Sequence, residues 1–96
     1  MFHNQKFITR GVDSNVSLLL QLFLWQLIEE MPPPKDYLQV FWLTLEGNKQ
    51  KIIHSQEVPW YQKEYLLEMT DAPFCVGKIF VIDDGDHSTM MLASEY

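Results

Sequence analysis

Ser17-Leu18-Leu19-Leu20-Gln21-Leu22-Phe23-Leu24-Trp25-Gln26-Leu27-Ile28-Glu29-Glu30-Met31, halted by Pro32-Pro33-Pro34, is the stretch whose reading sets the architecture. It is rich in unbranched apolar residues that favour helix. Asp13, Ser14, Asn15 and Ser17 lie ahead of it, and each can cap a helix N-terminus with a side-chain oxygen. The three prolines stop it near Met31, because proline lacks the N–H that a helix must donate. Glu29 and Glu30 sit unfavourably at the negative end of the helix dipole, and Lys35 just beyond offsets part of that. Leu18 to Ile28 is very apolar but too short to span a bilayer, and Gln21 and Gln26 interrupt it.

The polar residues of this helix do not gather on one side. At about 100° per residue, Ser17 and Gln21 lie together, Gln26 falls nearly opposite Ser17, and Glu29 and Glu30 flank Gln26. Leucine, isoleucine, phenylalanine and tryptophan coat the rest. A helix lying on a sheet needs one apolar stripe, so the additional apolar face must meet something else. Either a second chain covers it, identical or not, or the N-terminal segment and the proline loop fold over it.

Working outward, the chain reads as strands. Phe7 to Val12 is a short candidate strand ending at Gly11. Tyr37 to Glu46 and Asn48 to Gln56 flank Gly47-Asn48, which suits a hairpin turn. Tyr61 to Met69 is entered from Pro59. Lys78 to Asp83 and His87 to Leu92 flank Asp84-Gly85, a strong hairpin signal because both residue types accept positive φ. Ala93 to Tyr96 reads as a short tail. The expected fold class is α+β, with one main helix packed on a mostly antiparallel sheet of five or six strands, in a single domain over residues 1–96. In Tyr37 to Glu46 both alternating faces are largely apolar, and Ile79, Val81 against Phe80, Ile82 repeat the doubling. Such strands call for cover on both sides of the sheet.

Composition limits the partners. With 96 residues, 47% of them apolar and 14% aromatic, the chain builds one core rather than a disordered ensemble. A chain of this size hides only roughly two-thirds of its unfolded surface. The 13 acidic and 7 basic residues leave a net charge of -6, which disfavours direct binding to nucleic acid or to an anionic membrane. The densest basic cluster is Lys49 and Lys51, near Lys35. The same acidity permits a third role, an acidic mimic of nucleic acid acting on a DNA- or RNA-binding protein, provided the carboxylates form one continuous face. Cys75 is the one cysteine, so no intramolecular disulfide or zinc spacing exists. The N-terminus lacks the charged and continuously apolar regions of a signal peptide, and the expected location is the cytoplasm.

Candidate chemistry is sparse. Asp83, Asp84, Asp86 and His87 around Gly85 place carboxylates and an imidazole close together, as a divalent cation or an acid–base step would require. Their spacing does not match a calcium loop, and Asp with Gly equally serves a hairpin turn. His54 precedes Ser55, Gln56 and Glu57, but strand neighbours point to opposite faces, so a satisfied polar strand end is the expectation. Cys75, between Phe74 and Val76, reads as an inert thiol. Trp60, Tyr61 and Tyr65 follow Pro59 with Lys63 as the one basic residue among them, too few to favour base stacking, and core packing accounts for them. No Gly-rich phosphate loop, nucleophile elbow or metalloprotease helix is present. No catalytic residue and no cofactor is assigned.

Four stretches taken together carry a family resemblance: Phe7-Ile8-Thr9-Arg10-Gly11-Val12, Leu20-Gln21-Leu22-Phe23-Leu24-Trp25, Ile52-Ile53-His54-Ser55-Gln56-Glu57 and Phe80-Val81-Ile82-Asp83-Asp84-Gly85-Asp86-His87-Ser88-Thr89-Met90. Their order and combination, over nearly the whole chain, resemble the family catalogued as domain of unknown function 960, small proteins of Gram-positive bacteria and their phages. The resemblance implies a bacterial or phage cytosolic origin and carries over no catalytic residue. The residues themselves point first to a non-enzymatic interaction module that dimerises or docks on another protein, with Phe23, Trp25, Trp42 and Trp60 as anchor candidates. A small metal-binding protein or enzyme using residues 83–87 is the alternative.

Overall fold

A computed structural model describes residues 1–70 and 72–96 of the chain. In chain order the elements are β1 (Gln5–Ile8), α1 (Arg10–Asn15), α2 (Leu18–Glu30), β2 (Leu38–Glu46), β3 (Lys49–Gln56), β4 (Tyr61–Leu67), β5 (Gly77–Asp83), β6 (His87–Leu92) and a closing 3-10 turn (Ala93–Glu95). The strands form one six-stranded sheet in the order β1-β6-β5-β2-β3-β4. Strands β2, β3 and β4 make an antiparallel meander, β5 and β6 a hairpin, and β5 pairs antiparallel with β2. The α+β expectation holds. The sheet is mixed, because β1 lies parallel to β6 at one edge.

The first turns of the chain depart from the sequence reading. The strand expected over Phe7 to Val12 covers Gln5–Ile8 instead, and Gly11 lies inside a helix. Thr9 makes the difference: its hydroxyl accepts the Val12 N–H at 3.3 Å and starts α1. Gly11 lets the Glu95 carboxylate come close, since a Cβ would stand 2.6 Å from it and displace that side chain. That carboxylate accepts from the Thr9 hydroxyl at 2.6 Å, the Gly11 N–H at 3.0 Å and the Leu92 N–H at 2.9 Å. The hydrogen bond from Thr9, then those from Leu92 and Gly11, hold the Glu95 carboxyl below its usual range despite some burial. The expected free tail is thereby tied to α1.

The long helix begins at Leu18. Its cap is Ser17, whose hydroxyl accepts the Leu20 N–H at 3.3 Å, and an extended Val16 separates it from α1. Gln21, counted among the polar interruptions, is buried and donates to the Val16 carbonyl at 2.8 Å, closing the joint between the helices. At the far end Lys35 Nζ donates to the Glu29 carbonyl at 3.4 Å, as the helix dipole favours.

Leu20, Leu24, Leu27 and Ile28 of α2 are buried against Phe41, Leu43, Ile52, Ile79, Val81 and Met90 of the sheet. The helical spacing of four, three and one places them on one stripe, and each such side chain contributes about 1.5–3 kcal/mol relative to exposure. Val12, Val16 and Phe2 complete this cluster. Phe2 adopts a positive φ of 66°, a conformation costing an L-residue roughly 1–2 kcal/mol. Its buried ring and the hydrogen bond from its N–H to Asp83 Oδ2, at 2.7 Å, hold it there.

Candidate functional site

The pleat sends alternate side chains to opposite faces. Gln39, Phe41 and Leu43 of β2, Ile79 and Val81 of β5, and Ile52 and His54 of β3 point under α2 and are buried. Their neighbours in sequence form the other face. The strand register sets Lys78, Trp42, Ile53 and Glu64 in one row across the sheet. The next row is Met91, Phe80, Val40, Ser55 and Gln62, and the next Phe7, Thr89, Ile82 and Leu38. Among the described residues no helix or strand lies over this face, and α2 occupies the opposite one. The exception is Tyr96, whose ring meets Phe80 edge-on at 5.6 Å.

The open face has an apolar middle and a charged border. Leu38, Val40, Ile53, Phe80, Ile82 and Met91 shield one another partly, while Trp42, beside Val40 and Ile53, is 48% exposed. Lys78 Nζ lies 4.7 Å from the Trp42 ring centre and 5.5 Å from that of Phe80, so its cation rests on the two aromatic faces. Toward β4 the face turns polar: Lys51 approaches Glu46 at 3.6 Å and Glu64 at 3.7 Å.

The anchor candidates are not brought together. Trp42 is on the open face. Phe23 lies on the other side, edge-on to Tyr65 at 6.0 Å, and Trp25 there carries the Lys6 cation 5.6 Å from its ring centre. Trp60 stands in the turn between β3 and β4, 69% exposed. The apolar coat of α2 divides in the same way. Leu18, Leu19 and Leu22 face water, Leu18 at 68%, so neither the N-terminal segment nor the proline loop covers them. The residues missed as members of a site are Leu38, Val40, Ile53, Phe80, Ile82 and Met91. Their signal was the apolar character of both faces of β2 and β5, with nothing in the local pattern to say which face stays open.

The acidic turn is occupied by its own backbone. Asp84 Oδ1 accepts the Asp86 N–H at 3.2 Å and the His87 N–H at 3.1 Å, and Asp84 Oδ2 meets His87 Nε2 at 3.0 Å. Gly85 supplies the positive φ, 101°, which Asp84 does not share. Asp83 faces away from both, under the helix layer, and accepts from Phe2 N, Asn4 Nδ2 and Gly85 N at 2.7, 3.0 and 2.8 Å. Burial pushes the Asp83 carboxyl up, but those hydrogen bonds and the nearby N-terminal charge outweigh it and hold the group below its usual range. Among the described residues no three of His, Cys, Asp and Glu converge where an ion would be held.

His54 is no strand end. It is fully buried, stacked on Phe41 with ring centres 4.4 Å apart, and meets Tyr61 edge-on at 5.4 Å. Its Nε2 lies 2.7 Å from Gln39 Oε1. Gln39 Nε2 donates to Asp36 O and Gln56 Oε1, so its Oε1 is the acceptor and His54 Nε2 carries the proton. Nδ1 has no partner, and burial lowers the imidazole pKa to about 4. Gln56 extends the network by donating to Pro34 O at 3.2 Å and Pro59 O at 2.9 Å. This buried polar chain pins the two proline loops to the sheet and presents no group to an external substrate. Cys75 is half-buried, and burial pushes its thiol up, away from a reactive thiolate.

No helix among the described residues is long and apolar enough to cross a membrane. A crystal structure of a protein of unknown function from Enterococcus faecalis has the same fold, with a TM-score of 0.86 and 24% identity over 97% of this chain and 91% of that one. No curated protein matches the sequence. The family model described as "Staphylococcal protein of unknown function (DUF960)" matches residues 5–95, nearly the whole chain. The protein belongs to that family.

Proposed function

We propose that the protein is a non-enzymatic protein-interaction module of the cytoplasm that works through the open face of its sheet. One observation carries this reading: Leu38, Val40, Trp42, Ile53, Phe80, Ile82 and Met91 form a continuous apolar field over which, among the described residues, no helix or strand lies and only the Tyr96 ring reaches Phe80. The choice of residues on the other face sharpens the point. Beneath α2 the chain buries Gln39, Gln50, His54, Gln56 and Ser88, while comparable apolar side chains stand on the uncovered side. A sheet that met only water there would alternate apolar with polar residues. A field of this kind, bordered by charged residues and including an exposed tryptophan, is what a protein interface supplies.

Neither other reading gains such support. In the turn at residues 83–87 the Asp83 and Asp84 carboxylates are taken up by backbone N–H groups. The described carboxylates are scattered: Asp13 is on α1, Glu29 and Glu30 end α2, Glu46 and Glu64 border the open face, and Asp83 is buried. A nucleic-acid mimic needs them in one continuous face.

The test is a solvatochromic dye for exposed apolar surface, added to sub-micromolar protein. Strong binding by the native chain, reduced far more by Trp42→Lys with Phe80→Lys than by Leu19→Lys with Leu22→Lys while the far-ultraviolet dichroism is kept, is the expected result. A native chain that binds no dye would end this reading.

A further inference from the structure

The occupant of the open face is decided by its charge and its size. The chain carries -6 overall, but the open face does not share that acidity. Its charged strand residues are Lys49, Lys51 and Lys78 against Glu46 and Glu64, which leaves it close to neutral. Two copies therefore meet there without setting like field against like, and a strongly charged partner gains nothing from it. The face is also of the right extent. Six strands about 4.8 Å apart, each about seven residues of 3.3 Å, present a projected area of roughly 600 Å². With side chains standing out of that plane, it approaches the roughly 800 Å² per partner of a standard stable interface. A twisted apolar sheet is closed most simply by another sheet stacked about 10 Å away.

We infer that the open face is filled by a second copy of this chain, the two sheets stacking face to face about a two-fold axis with Trp42, Phe80 and Val40 at the centre. The result is a four-layer particle: helix, sheet, sheet, helix. The exposed ridge of Leu18, Leu19 and Leu22 lies on its outside and takes no part. This inference rests on the interaction reading above and adds the identity of the partner.

Light scattering coupled to size exclusion decides it. At about 200 μM the native protein should show twice the 11.4 kDa chain mass, falling toward the monomer on dilution. Trp42→Lys should raise the dissociation constant at least about thirtyfold, as loss of a central anchor does. Leu22→Lys should leave the mass doubled. Should Trp42→Lys fail to fold, the native chain suffices: dye bound per chain must rise on dilution, as the apolar field is uncovered. A monomer at 200 μM overturns the inference. If that monomer binds the dye, the interaction face stands without its second copy; if it does not, both fall. A dimer that Trp42→Lys leaves intact, or that Leu22→Lys dissolves, also overturns it.

Discussion

The two faces of the sheet are built from the same strands and meet different fates. In β2, Phe41 points under α2 and is fully buried, while its neighbour Trp42 points the other way and is 48% exposed. In β3, Ile52 and His54 are enclosed, while Ile53 between them lies on the open side. The covered face tolerates its glutamines because each finds partners in loops wrapped around the helix side, and His54 because Gln39 holds its Nε2. The open face has almost no such polar partners at its centre, and its apolar residues stay partly exposed, Trp42 most of all. Burial in this molecule thus follows which side the helix lies on, not how apolar the side chain is.

The sharpest way to break this comparison is to truncate adjacent residues of one strand. Phe41→Ala should cost about 3–5 kcal/mol in urea unfolding, from lost transfer energy and the cavity left under α2. Trp42→Ala, measured at a concentration where the chain is monomeric, should cost less than about 1 kcal/mol. Equal losses would mean that the open face is covered within a single chain.

The histidine offers a second contrast by pH. The folded pKa of His54 lies near 4, below its unfolded value of 6.5. The unfolded chain therefore binds the proton first, and stability is complete above pH 6.5 and declines as pH falls toward 4. The loss should amount to something on the order of 3 kcal/mol. His54→Leu, with no proton to gain, should flatten that part of the curve in the difference between native and variant. An unchanged curve for His54→Leu would contradict the buried neutral imidazole.

Gln56→Ala tests the loops that seal the covered face. It leaves Asp36 N, Gln39 Nε2 and the carbonyls of Pro34 and Pro59 without their partner, and should cost about 1–3 kcal/mol. Trp60→Ser, one turn away and exposed, should move the unfolding midpoint very little. The smallest effect is expected at the chain end. Gly11→Ala must displace the Glu95 side chain, releasing the last turn. Carboxypeptidase should then remove the final residues faster, with the global midpoint nearly unchanged. A variant digested no faster than the native chain would show that Glu95 does not hold the turn.

Much of the architecture was legible because local chemistry dictated it. Three prolines end α2 wherever the rest of the chain lies, and Gly47 and Gly85 supply the positive φ their hairpins need. Strand limits read from alternation came within about two residues for β2 to β6. The misreadings share a cause. Thr9 reads as strand by propensity, yet it caps α1 because Glu95, remote in sequence, holds it. Strand β1 pairs parallel with β6 beside Asn4, whose side chain links Asp83 and Ser88, and no nearby residue signals that placement. His54 and Gln56 read as a polar strand end because their partners lie on Gln39, Asp36, Pro34 and Pro59.

The amino-acid sequence by itself determined the long helix, the two hairpins, and the surplus of apolar side chains over what one helix can cover. Periodicity, proline and glycine act within a few residues, so they need no knowledge of the rest of the chain. Only the tertiary structure decided which face of the sheet is closed. Both faces of β2 and β5 are apolar, so alternation alone makes them equivalent. The contacts that place α2 over Phe41 rather than Trp42 join residues far apart in the chain.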